Sequence, residues 1–113
     1  MSTLITRTDL EAAIENGEVT VVDALPAAYY EQQHLPGAVN LFVDEAAARA
    51  GEVLPDRGAA IVTYCSNESC QNSEGVARTL TRLGYTDVRR YVEGISDWVE
   101  AGLPTESGTR AVA

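Results

Sequence analysis

Residues 61–80 read IVTYCSNESCQNSEGVARTL. The segment opens as an apolar, β-branched ribbon, Ala60 to Tyr64, and reads as a buried strand. From Ser73 the pattern changes period. Val76, Leu80 and Leu83 fall at i, i+4 and i+7, Ala77 shares their face, and Gly84 marks a stop, which predicts a helix. Between the two lies a polar loop that holds both cysteines of the chain, Cys65 and Cys70. In an open α/β sheet the ligand site lies beyond the carboxyl ends of the strands, so Cys65, the first residue after the ribbon, stands where chemistry is expected.

Outward from this segment, helix and strand signals alternate. Thr8 to Glu11 has the form of a capping box, Thr8 at the N-cap and Glu11 three residues on, opening a short helix that ends near Gly17. VTVVDA predicts a strand ending near Asp23, and Pro26 begins a helical turn continued by AAYYEQQ. A Pro36–Gly37 turn precedes a short strand from Val39 to Leu41, and DEAAARA predicts a brief helix stopped by Gly51. DVRRYV is a further strand, and GISDWVEAGLP a last helix ended by Gly102 and Pro104. Residues 105–113 have no period and are expected to form a flexible tail. The alternation predicts an α/β fold, a mainly parallel sheet with helices on both faces.

Composition narrows the function. The chain has 113 residues, one domain's worth, with ordinary apolar content. Eight basic against seventeen acidic residues give a net charge of −9, which argues against nucleic acid and anionic membranes as partners. An anionic substrate would approach against the field of the whole protein. No apolar run nears the roughly 18 residues of a membrane span. The N-terminus lacks the pattern of a secretion signal, so a cytoplasmic address is expected, where two cysteines are thiols rather than a structural bridge.

These segments, in this order and spacing, resemble a single-domain rhodanese. The family's early signature is similar to G-H-I-P-G-A-x-N, and Gln33 to Asn40 here read QHLPGAVN. The late signature is similar to G-G-x-x-x-W-x-x-x-G-x-P; Gly94, Trp98, Gly102 and Pro104 fill it, with Glu93 for the first glycine. The resemblance spans residues 5–104. It implies a five-stranded α/β domain and a nucleophilic cysteine that carries sulfane sulfur as a persulfide, and Cys65 occupies that cysteine's place after the fourth strand. Two departures stand out. The family loop resembles C-R-x-G-x-R-S, whereas Cys65 to Ser73 is two residues longer and contains no arginine or lysine, with Asn72 where the arginine belongs. Leu25 likewise replaces the arginine of the family's D-V-R strand end. The second cysteine, Cys70, resembles a subgroup with C-x-x-x-x-C loops.

A thiol attacks as thiolate, so such a site must lower a free pKa of about 8.5. Without a basic side chain in the loop, the expected lever is the backbone: N–H groups of the turn and the helix N-terminus aimed at sulfur, with Ser73 as N-cap. Ser66, Asn67, Ser69, Gln71 and Asn72 offer neutral donors, while Glu68 opposes an anion. These loop residues form the expected substrate-binding cradle. A moderately activated Cys65 follows, with Cys70 a candidate resolving thiol. A small sulfur-containing donor, or a protein carrying a persulfide, is the expected partner, and thiosulfate is less suited to an arginine-free loop. Oxyanion-clamping phosphatases of related fold need an arginine at the loop's end, and Arg78 lies too far into the helix to serve.

Other readings remain beside this one. The pair could act as a dithiol switch, or the domain as a noncatalytic binding module. Cys65 as a plain core residue and Cys70 as a plain loop residue are the bland alternatives. A zinc site from Cys65, Cys70 and His34 lacks a fourth ligand and a matching spacing, and no motif requires a cofactor. His34 is expected to fix the Pro-Gly turn, Trp98 to anchor the core, and Asp23 to cap nearby amides.

Overall fold

The computed structural model describes residues 3–108. Five strands, β1 (Thr3–Leu4), β2 (Thr20–Asp23), β3 (Val39–Asn40), β4 (Ala60–Tyr64) and β5 (Asp87–Tyr91), form one sheet in the order β1-β5-β4-β2-β3. Every pairing is parallel, so the expectation of a mainly parallel sheet is met throughout. Helices α1 (Arg7–Glu15), α2 (Ala27–Gln32), α3 (Ala46–Val53) and α4 (Asn72–Arg82) connect the strands in turn, and α5 (Gly94–Glu100) follows β5. A 3₁₀ turn, Val43–Glu45, leads into α3.

The pleat of β4 divides the core. Ile61 and Cys65 face a cluster with Val22, Leu41, Ala50, Val76 and Leu80 beneath α3 and α4. Val62 and Tyr64 face the opposite side, with Leu10, Tyr30, Leu35, Tyr91 and Trp98 beneath α1, α2 and α5. Both faces of β4 are therefore buried, which is why its sequence is a continuous apolar run rather than an alternating one. Trp98 anchors the second cluster as expected, and its Nε1–H donates to the Pro104 carbonyl at 2.8 Å.

Local boundaries differ from expectation in a few places. α1 starts two residues earlier: Thr6, not Thr8, is the N-cap, its hydroxyl accepting from the Asp9 amide at 3.1 Å. Thr6 follows directly on Ile5, whose amide is tied to Arg90, and a start at Arg7 lets that guanidinium reach Asp97 at 3.0 Å. α3 runs through Gly51 to Val53, because burial of Leu54 and hydrogen bonds from the Tyr85 hydroxyl to the Ala50 and Leu54 carbonyls hold its last turn. The two-residue edge strand β1 was not anticipated; it is too short to show a period. Residues 105–108, expected to begin the flexible tail, are tied to the body instead. Glu106 and His34 exchange two backbone hydrogen bonds of 2.8 Å, and Gly108 donates to the Glu31 carbonyl. The rest of that expected tail, 109–113, lies outside the described residues. Among the described residues no helix is long and apolar enough to cross a membrane.

Candidate active site

Cys65 leaves β4 at the carboxyl edge of the sheet, and the 66–71 loop folds over it before α4 begins. Its residue surface is 1% exposed, while Cys70 is half-buried and Asn67, Glu68 and Ser69 are exposed. The chain is pinned from beyond the loop by α5: the amides of Ile95 and Ser96 donate to the Cys65 and Ser66 carbonyls at 2.9 and 3.0 Å. This approach requires glycine at 94. Its φ is +72°, and a Cβ there would stand 2.5 Å from the Cys65 carbonyl oxygen.

The single hydrogen of the Cys65 thiol has two acceptors in reach, the Cys70 carbonyl at 3.4 Å and the Ser73 hydroxyl at 3.6 Å. Ser73 is not the N-cap that the pattern suggested. α4 opens two residues earlier, with Gln71 at the N-cap position, and Ser73 sits buried in its first turn, where the Thr63 hydroxyl donates to its carbonyl at 3.0 Å. From that place Ser73 presents its hydroxyl oxygen to the Cys65 thiol, and its hydroxyl and amide both favour a negative charge on that sulfur. The amides of Ser66 and Asn72 serve Cys70 instead. The loop thus cradles two sulfurs rather than one.

The two thiols lie close enough for each to bear on the charge of the other. Burial pushes Cys65 above the ordinary thiol range, and its contact with Cys70 adds to this against the help of Ser73. Burial also acts on Cys70, but the hydrogen bond from Cys65 and the amides of Asn72 and Ser66 outweigh it and bring that thiol down. At rest, then, Cys65 is the proton donor and Cys70 the more acidic member, the reverse of the order of activation that the loop sequence suggests.

The remaining loop side chains have other duties. The Asn67 carboxamide accepts from the Ser69 amide at 2.9 Å, shaping the turn, and the Asn72 side chain donates to the Ala24 carbonyl at 3.2 Å. Gln71 is exposed and makes no side-chain cap for α4. Glu68 points into a groove of about 350 Å³ shared with Asn67, Glu93, Ser96, Asp97 and Glu100. A second groove, about 440 Å³, is lined by Leu25, Tyr29, Gln32, Gln33, Ser66 and Ile95 and carries no charged side chain. Leu25, in the place of the family's strand-end arginine, makes this wall apolar.

Behind the loop a buried network fixes the strand ends. Asp23 caps as expected, accepting from the Leu25 amide at 2.9 Å, and its second oxygen accepts from the Tyr64 hydroxyl at 2.6 Å. Tyr64 in turn accepts from the Leu35 amide at 3.1 Å. Desolvation raises the Asp23 carboxyl above its ordinary range despite these donors. His34 turns away from the cysteines: it stacks on Tyr30 and its Nδ1 donates to the Tyr30 carbonyl at 2.8 Å.

The sequence pattern of the rhodanese-like domain matches residues 6–101. The chain belongs to the rhodanese-like family. It is 38% identical over 104 residues to an HTH-type transcriptional regulator from Mycobacterium tuberculosis, an alignment covering 92% of this chain and 45% of that protein. It is 28% identical over 87 residues to a thiosulfate sulfurtransferase from Escherichia coli, covering 77% and 78% of the two chains. A solved Bacillus halodurans protein superposes with a TM-score of 0.86 at 25% identity, covering 94% of this chain and 77% of that one. The chain thus spans less than half the length of the regulator and most of the length of the sulfurtransferase.

One residue of this rhodanese-like site escaped the sequence reading. Arg90, on β5, reaches across the sheet edge: its Nε donates to the Ser73 hydroxyl at 2.8 Å and its Nη2 to the Cys70 carbonyl at 3.3 Å. The β4–β5 register places Arg90 beside Thr63, two residues before Cys65 on the same face of the sheet. The loop has no cation of its own, but the site has one. DVRRYV carries two adjacent arginines, and only the strand register says which of them faces the cysteines.

Proposed function

We propose that this rhodanese-like domain transfers sulfur through a persulfide on Cys65, with Cys70 as its acid–base and resolving partner. The observation that carries this reading is the position of the Cys65 sulfur: at the end of β4, under a loop, 3.6 Å from the Ser73 hydroxyl and 3.4 Å from the carbonyl of a second cysteine. The Cys70 thiolate takes the Cys65 proton, and the Cys65 thiolate attacks the outer sulfur of a hydropersulfide R–S–SH, forming Cys65–S–SH as RS⁻ leaves. Cys70 gives that proton to RS⁻, which departs as RSH, and is again a thiolate. An acceptor nucleophile then removes the outer sulfur. Where none arrives, the Cys70 thiolate attacks the inner sulfur, a Cys65–Cys70 disulfide forms, and hydrosulfide departs with the electron pair.

The donor class follows from the walls. An uncharged groove on one side and carboxylates on the other favour a neutral or protein-borne persulfide over a small dianion such as thiosulfate. The reaction is placed in the cytoplasm, where both thiols stay reduced between turnovers.

Intact mass after incubation of the reduced protein with polysulfide, and separately with thiosulfate, tests the reading. The expected result is a gain of one sulfur atom on Cys65, reversed by cyanide, abolished by Cys65→Ser and retained in Cys70→Ser. A loss of two hydrogens without any sulfur intermediate supports a second reading, a dithiol switch. The thiol–thiol contact favours that reading, and so does the relative named a transcriptional regulator. No change with any donor leaves a noncatalytic module.

A further inference from the structure

We propose that Arg90 is the positioning cation of this site, holding the Ser73 hydroxyl and the Cys70 carbonyl in the arrangement that accommodates a negative charge on the Cys65 sulfur. It would replace, from a neighbouring strand, the arginine that the 65–73 loop lacks. The inference deepens the sulfur-transfer reading and rests on Cys65 acting as an anion.

A guanidinium can only donate. Ser73 Oγ therefore accepts from Arg90 Nε, at 2.8 Å, and the hydroxyl hydrogen is left to another neighbour. That neighbour is the Cys65 sulfur, 3.6 Å away. While Cys65 is a thiol, this oxygen is one of the two acceptors in reach of its S–H. When the proton leaves, the hydroxyl turns and donates to the anion, and its bond from the cation makes it a stronger donor.

The Cys70 carbonyl cannot reverse in this way. It stands 3.4 Å from the sulfur and presents lone pairs to whatever charge forms there. Arg90 Nη2, 3.3 Å from the same oxygen, offsets that repulsion. The Arg90 side chain is 13% exposed, so water screens it little. Glu74 on α4 faces it, 3.6 Å from Nη1, and shares its carboxylate with Arg78 on its own helix at 3.3 Å. Glu68, Glu93, Asp97 and Glu100 line a separate groove, and Asp23 bonds Tyr64 on the other face of the sheet.

The experiment follows alkylation of Cys65 by iodoacetamide against pH in the Cys70→Ser chain, which removes the second thiol and keeps the carbonyl that Arg90 bonds. Arg90→Gln in this background should raise the midpoint by about one pH unit, roughly a tenfold loss of thiolate at neutral pH. Arg90→Lys should restore most of it. Ser73→Ala should also raise the midpoint, and adding Arg90→Gln to it should move it by less than half as much again. A midpoint unmoved in Arg90→Gln, or moved equally by Arg90→Lys, overturns the proposal, since packing rather than charge would then account for the residue. Where Arg90→Gln does not fold, an unmoved midpoint in Ser73→Ala overturns it instead. The readout needs no sulfur donor, so a protein that never forms a persulfide can still pass or fail.

Discussion

The Gly94 α-carbon sits so close to Cys65 that a methyl group on it would meet the Cys65 carbonyl oxygen at 2.5 Å and the Ser66 carbonyl carbon at 2.7 Å. Helix α5 and the cysteine loop are thereby one unit, joined by the hydrogen bonds of Ile95 and Ser96 to the same two carbonyls. Gly94→Ala should cost about 2–4 kcal/mol, from left-handed backbone strain and overpacking together. Urea unfolding measures it. A cost below about 0.5 kcal/mol, the ordinary range for a surface change, would contradict so close an approach.

Tyr64 joins the ends of β2 and β4 to the loop after α2 through one hydroxyl, donating to Asp23 and accepting from Leu35. Tyr64→Phe leaves a buried carboxyl and a buried amide each short of a partner, so a loss of about 1–3 kcal/mol is expected in the same unfolding assay. Asp23→Asn paired with Tyr64→Phe should cost less than the two single changes added, because they disable one network.

Asp97 sets an acid limb for stability. The Tyr91 hydroxyl, 2.6 Å away, holds its carboxyl below the ordinary value of 3.8; burial opposes this, and Arg7 adds to the lowering. A carboxyl depressed in the folded state contributes stability that is present above its unfolded value and lost as pH falls through its folded one. Asp97→Asn should therefore shrink the difference in unfolding free energy between neutral pH and about pH 3, the region below an ordinary carboxyl's midpoint. A pH profile parallel to that of the parent chain would show that Asp97 is not linked to folding.

The two thiols should react in a fixed order. Cys70 is half-buried and the more acidic of the pair, whereas Cys65 is covered and holds the shared proton. With iodoacetamide at neutral pH, peptide mapping should find Cys70 alkylated about tenfold or more ahead of Cys65. Equal rates would mean that the loop opens faster than alkylation proceeds.

Much of this arrangement is local and was legible in the residues. The strands and helices follow from hydrophobic period, and the run of parallel pairings from their alternation. The place of Cys65 follows from the end of the AIVTY ribbon, and the need for Gly94 to be glycine is consistent with the late family signature. Capping was less legible, since Thr6 and Thr8 each precede an acidic residue three positions on, and only the link from Ile5 to β5 selects the first. The loop between the cysteines was legible in position and misleading in chemistry. Its lack of any basic residue hid a cation 17 residues beyond Ser73, which arrives through the register of β4 against β5. Which sulfur keeps the proton likewise depends on burial and on the aim of individual amides, quantities that belong to the folded chain. Period and turn chemistry act between near neighbours and survive in a string of letters; electrostatics acts through space, and space exists only once the sheet has closed.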